Sequence, residues 1–108
     1  MQFDNEQLGN YTVVSVTGRL DAITASEFEA QCDIWLSQDE IEIVVEMSGV
    51  DYISSAGLRS ILTSAKKLKA RGGELRFCGL TGMVAEVFQM SGFAMMFKLF
   101  ATKEQATS

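Results

Sequence analysis

The chain contains no histidine and no proline, and only two cysteines among its 108 residues. Without histidine the commonest general base and metal ligand is missing, and with it the Ser-His-Asp and Cys-His types of nucleophilic catalysis. Cys32 and Cys78 lie far apart, each among apolar residues, which indicates buried free thiols rather than a disulfide framework or a metal site. We therefore expect no metal, no cofactor and no enzymatic activity.

Positive charge is also scarce, since 9 basic residues stand against 14 acidic ones and the net charge is -5. Nucleic-acid-binding domains carry clustered lysine and arginine, and anionic membranes attract the same residues, so neither partner is expected. The one basic cluster, "KKLKAR" at 66–71, is interrupted by apolar positions and is interpreted as the solvated face of a helix.

Long apolar runs are absent as well. No stretch approaches the roughly 18 consecutive apolar residues of a membrane span. The first residues, "MQFDNEQLG", lack the basic start and apolar stretch of a secretory signal. A cytoplasmic protein without membrane insertion is expected.

Periodicity predicts the element order β-β-α-β-α-β-α-β. A weak edge strand at 2–7 pairs through the turn Gly9-Asn10 with a strand at 11–18, and a central strand at 41–47 is apolar enough to be covered on both faces. Thr24 and Glu27 have the spacing of a capping box, with Ile23 and Phe28 as a hydrophobic staple, at the start of a helix that reaches about residue 38. The remaining elements are a helix after the serine pair that ends at 72–73, a strand at 74–79, a helix from Thr81 to Gly92 and a short strand at 95–100.

Alternating strands and helices predict an α/β fold with a mixed, mostly parallel sheet of four to five strands, an N-terminal hairpin edge and three to four helices. No repeat, low-complexity stretch or linker divides the chain. We expect one domain over 1–108, with its core at about 8–100 and a polar, frayed tail at 101–108.

Two segments should reach the rim beyond the carboxyl ends of the parallel strands, where sites form in such sheets. One ends in Asp21 and the other in Ser54 and Ser55. Either serine is suited to cap the following helix. The same place could hold a phosphate, and a phosphorylated serine there would lie among the acids Asp21 and Asp51.

Other features favour no catalytic site. Ser64 and Lys67 have a Ser-x-x-Lys spacing, but they fall inside an amphipathic helix without companion motifs. No phosphate-binding glycine loop is present. The Met- and Phe-rich stretch at 90–100 fits core packing, or else a partner patch that reaches the surface.

The segments "TGRLDAITASEFE", "VVEMSGVDYISSAGLRSIL", "GGELRFCGL" and "VFQMSGF" occur in an order that resembles the STAS domain family over residues 8 to 100. The similarity is to the stand-alone anti-sigma factor antagonists of bacterial partner switching. It implies a binding protein whose partner is an anti-sigma factor that is also a serine/threonine kinase of the histidine-kinase-like ATPase fold. The kinase phosphorylates the antagonist and releases it, and a metal-dependent serine phosphatase restores the unmodified form.

On "ISSAGL" the family motif, Asp-Ser-Ser/Thr/Ala-Gly-Leu, makes Ser55 the phosphate acceptor. Ser54 departs from the motif, because many members carry aspartate there, and this change could alter kinase preference. Asp21 matches an aspartate of the family that is implicated in partner contact, and Thr24 follows at a matching position. Ala56 and Gly57 are expected to leave the first helical turn open to a large partner. The resemblance thus implies partner contacts near the acceptor by Asp21, Thr24, Ser54, Ala56, Gly57 and Leu58.

Two alternatives remain at this point. The chain could be a STAS module that binds its partner without a phosphorylation cycle, in a transport, lipid-trafficking or sensory assembly, as Ser54 and the apolar stretch near Met95 would allow. A small hydrolase or other enzyme is the third reading, and turnover abolished by one substitution at the helix rim would support it.

Overall fold

A computed structural model describes residues 1–108 of the chain. The strands are β1 (Gln2–Leu8), β2 (Tyr11–Leu20), β3 (Glu42–Ile53), β4 (Glu74–Cys78) and β5 (Leu99–Phe100). The helices are α1 (Ala25–Ser37), α2 (Ser55–Ala70), α3 (Gly82–Met90), α4 (Phe93–Met96) and α5 (Lys103–Ala106). The helix count exceeds the expected three to four because α4 and α5 are single turns of four residues each.

The strands form one five-stranded sheet in which neighbours in the sequence are also neighbours in space, in the order β1-β2-β3-β4-β5. β1 and β2 are antiparallel and meet at a tight turn, where Gly9 has a φ of 61°. Every other pair is parallel and is joined by a helical crossover. The α/β class, the mostly parallel sheet and the N-terminal hairpin edge are confirmed.

The larger core lies between one face of the sheet and the helices α1, α2 and α3. Phe28 and Trp35 of α1 meet edge to face with ring centroids 6.0 Å apart. Phe77 of β4 lies 5.1 Å from Phe88 and 5.2 Å from Phe97 between ring centroids, so α3 and the residue that follows α4 pack against β4. Burial of each such side chain stabilises the fold by about 1.5–3 kcal/mol. These contacts hold the carboxyl ends of the strands in fixed positions.

A smaller core on the opposite sheet face consists of Val13, Val44, Cys78 and Ala106, all fully buried. Ala106 comes from α5, whose first turn is capped by the Thr102 hydroxyl oxygen accepting from the Gln105 N–H at 3.2 Å. The Arg76 guanidinium donates to the Ala106 carbonyl at 2.8 Å and fixes the helix to the sheet. The expectation of a frayed tail at 101–108 was therefore wrong. The tail is mostly polar, and the burial of Ala106 depends on strands that are far away in the sequence.

The apolar stretch after α3 differs from the single strand that was expected at 95–100. Gly92, with a φ of 83°, ends α3, and the chain then makes one more helical turn before β5. Only Leu99 and Phe100 join the sheet, and they pair with Phe77 and Cys78 of β4. The partial burial of both strand residues explains the apolar pattern without a longer strand.

The central strand β3 is longer than the expected 41–47 and continues to Ile53. It follows β2 through two register irregularities, and the last paired residues are Leu20 and Ile53. Gly49 permits this close pairing, since a Cβ there would lie 2.4 Å from the Thr17 Cγ2 atom. The extension places the ends of β2 and β3 side by side at the rim of the sheet.

Candidate functional site

The two segments that were expected to share a rim do meet there. Leu20 and Ile53 are paired across the ends of β2 and β3, so Asp21 and Ser54 leave the sheet next to each other. The Ser54 N–H donates to the Leu20 carbonyl oxygen at 2.9 Å. The start of α2 is thereby attached to the strand that leads to Asp21.

Ser54, not Ser55, caps α2. Its backbone is extended, with a φ of -92° and a ψ of 173°, and its hydroxyl oxygen accepts from the Gly57 N–H at 3.2 Å. Ser55 is the first helical residue and is exposed, and its hydroxyl has no hydrogen-bond partner. Of the two serines that were suited to cap the helix, only Ser54 does so, because the cap must be the last residue with extended backbone.

The first turn of α2 keeps free hydrogen-bond donors. The backbone N–H groups of Ser55 and Ala56 have no partner within the protein, and they lie at the positive end of a 16-residue helix. An anion attached to the Ser55 hydroxyl would find both the donors and the favourable dipole. The site therefore presents an accessible hydroxyl in surroundings that tolerate a phosphoryl group.

Gly57 was expected to leave room for a partner, but in the structure it allows close packing within the protein. It is buried, and a Cβ on it would lie 2.4 Å from the carbonyl oxygen of Leu20, a backbone atom. Its hydrogen atom allows α2 to approach β2 closely, so the glycine serves the protein's own packing rather than leaving room for a partner. Leu58 is half-buried and packs against the main core, and Ala56 is half-buried in the first turn.

Asp21 organises the loop before α1. One carboxylate oxygen, Oδ1, accepts from the N–H groups of Ile23 at 3.0 Å and Thr24 at 3.1 Å, and from the Thr24 hydroxyl at 3.2 Å. The hydrogen bond from the Thr24 backbone, with those from Ile23 and the Thr24 hydroxyl and the charge of Arg19, holds the pKa of Asp21 below its ordinary value. Asp21 thus stays ionised beside the helix start.

Thr24 does not cap α1 in the expected manner, although it occupies the N-cap position. The single proton of its hydroxyl is shared between the Arg19 carbonyl at 2.7 Å and Asp21 Oδ1 at 3.2 Å, and the hydroxyl oxygen accepts from the Asp21 N–H at 2.9 Å. No capping hydrogen bond forms. The expected staple is also wrong, because Ile23 is 83% exposed while Phe28 is buried. The Asp21 carboxylate instead accepts the hydrogen bonds of the Ile23 and Thr24 N–H groups. In the resulting turn the Ile23 side chain points to solvent, so an apolar side chain is exposed at the rim.

Arg19 and Tyr52 complete the rim and were missed in the sequence. The Arg19 guanidinium lies 4.2 Å from the centroid of the Tyr52 ring, and its Nε lies 3.6 Å from Asp21 Oδ2. The two residues are register partners on β2 and β3, a pairing that depends on the register irregularity between Gly18 and Arg19. The sequence gives no local signal for this pair, because the register irregularity that aligns the two residues appears only in the folded sheet.

The arrangement is suited to recognition and modification. No group of three or more His, Cys, Asp or Glu side chains that could hold a metal ion occurs in the structure. None of its helices is long and apolar enough to cross a membrane. The rim offers one ionised carboxylate, one exposed apolar side chain and one free hydroxyl, those of Asp21, Ile23 and Ser55.

Comparison with known proteins gives consistent results. A family model described as "STAS domain" matches residues 2–106. BtrV of Bordetella bronchiseptica is 32% identical over 108 residues, which are 100% of this chain and 93% of BtrV. A Paenibacillus polymyxa protein named anti-sigma F factor antagonist is 25% identical and covers 98% of this chain and 92% of its own length.

Two solved structures share the fold. TM1081 of Thermotoga maritima superposes with a TM-score of 0.89 at 20% identity, over 96% of this chain and 90% of TM1081. The phosphorylated form of SpoIIAA of Bacillus superposes with a TM-score of 0.72 at 22% identity, over 97% of this chain and 96% of that one.

Proposed function

The chain belongs to the STAS domain family, and we propose that it is an anti-sigma factor antagonist that is switched by phosphorylation of Ser55. The observation that carries the proposal is the exposed Ser55 hydroxyl at the start of α2, beside a different serine that caps the helix. The names of relatives support the antagonist role, since the Paenibacillus polymyxa protein is an anti-sigma F factor antagonist. The unmodified chain binds its anti-sigma factor and so frees the sigma factor, in the cytoplasm.

The serine at position 54, where many members of the family carry aspartate, is compatible with this role. The cap that it supplies has the geometry that an aspartate would also supply, since both side chains offer an oxygen to the free amides of the first turn. Ser55 therefore keeps its place as the first helical residue. The change removes one negative charge beside the acceptor and leaves the hydroxyl accessible.

Phosphorylation of Ser55 acts at the surface rather than on the fold. A phosphoryl group carries about -1.5 to -2 charges at neutral pH and would stabilise the start of α2, because free N–H groups and the positive helix end lie there. The same charge beside the ionised Asp21 repels acidic groups of a bound partner and must be desolvated in the interface. A loss of about 2–4 kcal/mol would weaken binding by roughly 30- to 1,000-fold.

The kinase is the anti-sigma factor itself, a serine/threonine kinase of the histidine-kinase-like ATPase fold. A metal-dependent serine phosphatase returns the antagonist to its binding form. The chemistry of ATP belongs to the kinase, so the antagonist contributes a substrate hydroxyl and a docking surface. Asp21, Thr24 and the first turn of α2 supply that surface, and Ile23 is its apolar member.

The test is phosphopeptide mapping of the protein isolated from its own cells, together with pull-downs. Unmodified protein and the Ser55→Ala variant should both capture a kinase of the ATPase fold, whereas Ser55→Asp should capture at least about tenfold less. A mass increase of about 80 Da should map to Ser55 and vanish in Ser55→Ala.

Ser54→Ala is the matched control, because it removes the neighbouring hydroxyl and leaves Ser55 in place. Phosphate found only on Ser54 would overturn the assignment of the acceptor. If no phosphorylated form ever accumulates and Ser55→Asp binds like the unmodified protein, the chain is a STAS module that binds without a phosphorylation cycle.

A further inference from the structure

A second surface lies away from the rim, on the C-terminal half of α2. A shallow cavity of about 210 Å³ is lined by two elements, α2 and the segment that includes α4. We name it the methionine cavity, and its lining residues are Leu62, Ala65, Lys66, Lys69, Met96 and Phe97. The four α2 residues are spaced i, i+3, i+4 and i+7, so they form one stripe along the helix.

The floor of the methionine cavity is rigid and its wall is adaptable. Phe97 is fixed by ring contacts with Phe77 and Phe93, with centroids 5.2 and 5.4 Å apart. Met96 is 56% exposed and Met95, its neighbour in α4, is 92% exposed. Exposed methionines are flexible and polarisable, a composition that suits surfaces that bind apolar side chains of a partner.

The lysines of this surface are the free ones of α2. Lys67 pairs with Asp33 at 3.1 Å and Arg71 pairs with Asp39, so their charges are used within the protein. Lys66 and Lys69 are exposed and make no ion pair. In a chain of net charge -5, two unpaired cations beside an apolar cavity are a local positive site in a negative field. Charge complementarity therefore favours an acidic occupant.

The size of the cavity decides the kind of occupant. Cavities that enclose a whole small ligand measure about 300–1,000 Å³, and this one is smaller. It is large enough for apolar side chains that project from a helix. Amphipathic helices bind such grooves through apolar residues at i, i+3 or i+4 and i+7, with charged residues at the edges.

We propose that the methionine cavity docks an acidic amphipathic helix of a partner protein, whose apolar residues enter between Met96 and Leu62 and whose carboxylates pair with Lys66 and Lys69. Along α2 the cavity residues lie 7 to 14 positions after Ser55, which at about 1.5 Å per residue is about 10–21 Å from the acceptor. This surface is therefore separate from the switch, and the proposal does not depend on the function proposed for Ser55.

The probe is a synthetic amphipathic peptide with leucines at i, i+4 and i+7 flanked by glutamates, titrated into the full chain. The signals of the Met96 and Met95 methyl groups should shift in NMR spectra, and binding should weaken as salt rises. A matched peptide with lysine in place of every glutamate should bind at least about tenfold more weakly.

Two double variants with the same change of net charge distinguish local from general electrostatics. Lys66→Glu with Lys69→Glu should weaken binding of the acidic peptide about tenfold or more, whereas Lys67→Glu with Arg71→Glu should change it less than about threefold. Circular dichroism checks that both variants remain folded. Ser55→Asp should leave the affinity unchanged.

Several results would overturn the proposal. Equal losses in the two double variants would show attraction to overall charge, and equal binding of the basic peptide would exclude an acidic occupant. A shift of the Met96 signal by decanoate but not by the acidic peptide would identify a site for small amphiphiles. Loss of peptide binding in Ser55→Asp would place the peptide at the rim.

Discussion

A methyl group added to Gly57 would lie 2.4 Å from the carbonyl oxygen of Leu20 and 2.9 Å from its Cγ atom. The oxygen belongs to the backbone of β2 and also accepts the N–H of Ser54 at 2.9 Å, so it cannot move without loss of that hydrogen bond. Relief must come from a shift of the first turn of α2 away from the sheet. Gly57→Ala thus tests whether the close approach of helix and strand holds the site in place.

The opposing contributions can be compared. Alanine is favoured over glycine inside a helix by about 1 kcal/mol. Overpacking of a buried site costs about 1–3 kcal/mol, and loss of the Ser54 hydrogen bond costs about 1 kcal/mol more. The free energy of unfolding should therefore fall by about 2 kcal/mol in Gly57→Ala. The sign is opposite to the one that helix propensity alone predicts.

Urea denaturation followed by circular dichroism measures this change, with the m-value unchanged if only the folded state is strained. Ala56→Gly is the control, because it reverses the substitution at the adjacent position of the same turn and should cost about 1 kcal/mol through propensity alone. A Gly57→Ala protein as stable as the parent, or more stable, would refute the packing argument. It would also remove the reason given for glycine at this position.

Three further predictions concern the cap, the second sheet face and a buried thiol. Ser54→Ala should lower the free energy of unfolding by about 1 kcal/mol in urea titrations while Ser54→Asp retains most of it, and an unchanged Ser54→Ala protein would show that the hydroxyl is not the cap. Ala106→Asp places a charge in the fully buried contact of α5, so it should lower the free energy of unfolding by about 2 kcal/mol or more and speed the reaction of Cys78 with a maleimide. Ser108→Asp, at an exposed position, should cause neither change. Burial raises the pKa of Cys78 from 9.0 to about 11. The stabilising contribution of the neutral thiol should thus be complete below pH 9 and lost as the pH rises to 11. The free energy of unfolding should therefore fall more steeply between pH 9 and 11 than it does in Cys78→Ala. Parallel plots of unfolding free energy against pH for the two proteins would contradict the raised pKa.

Most of the sheet and the main helices could be predicted because their signals are local. The alternation at 11–18 and the α2 stripe of Leu58, Ile61 and Leu68 indicate which face is buried, and Gly72 ends the helix with a φ of 83°. α5 could not be predicted, since Ala106 is buried against Val13, Val44 and Cys78, which are far away in the sequence. The full length of β3 likewise depends on its register irregularities with β2.

The placement of the site could be predicted, but not its internal geometry. The order of the strands already brings Asp21 and the serine pair to one rim. Two competing local motifs hide the rest, because both a capping box at Thr24 and a turn closed by Asp21 fit the letters of 21–27. The structure selects the turn, and this choice turns Ile23 outward. Similarly, either serine could cap α2 until the last extended residue of the chain is known.

The order of the sheet, in which each strand lies beside the one that precedes it in the chain, has a consequence for synthesis. The ribosome synthesises the chain from its N-terminus, so the neighbouring strand of each new strand has already been synthesised. No strand has to be inserted later between two strands that formed earlier. The chain also has no proline, which removes the slow isomerisation of X–Pro bonds from refolding. A nascent chain that ends after β4 lacks α5. On such a chain Val13 and Val44, which α5 covers in the finished fold, would be exposed until α5 emerges.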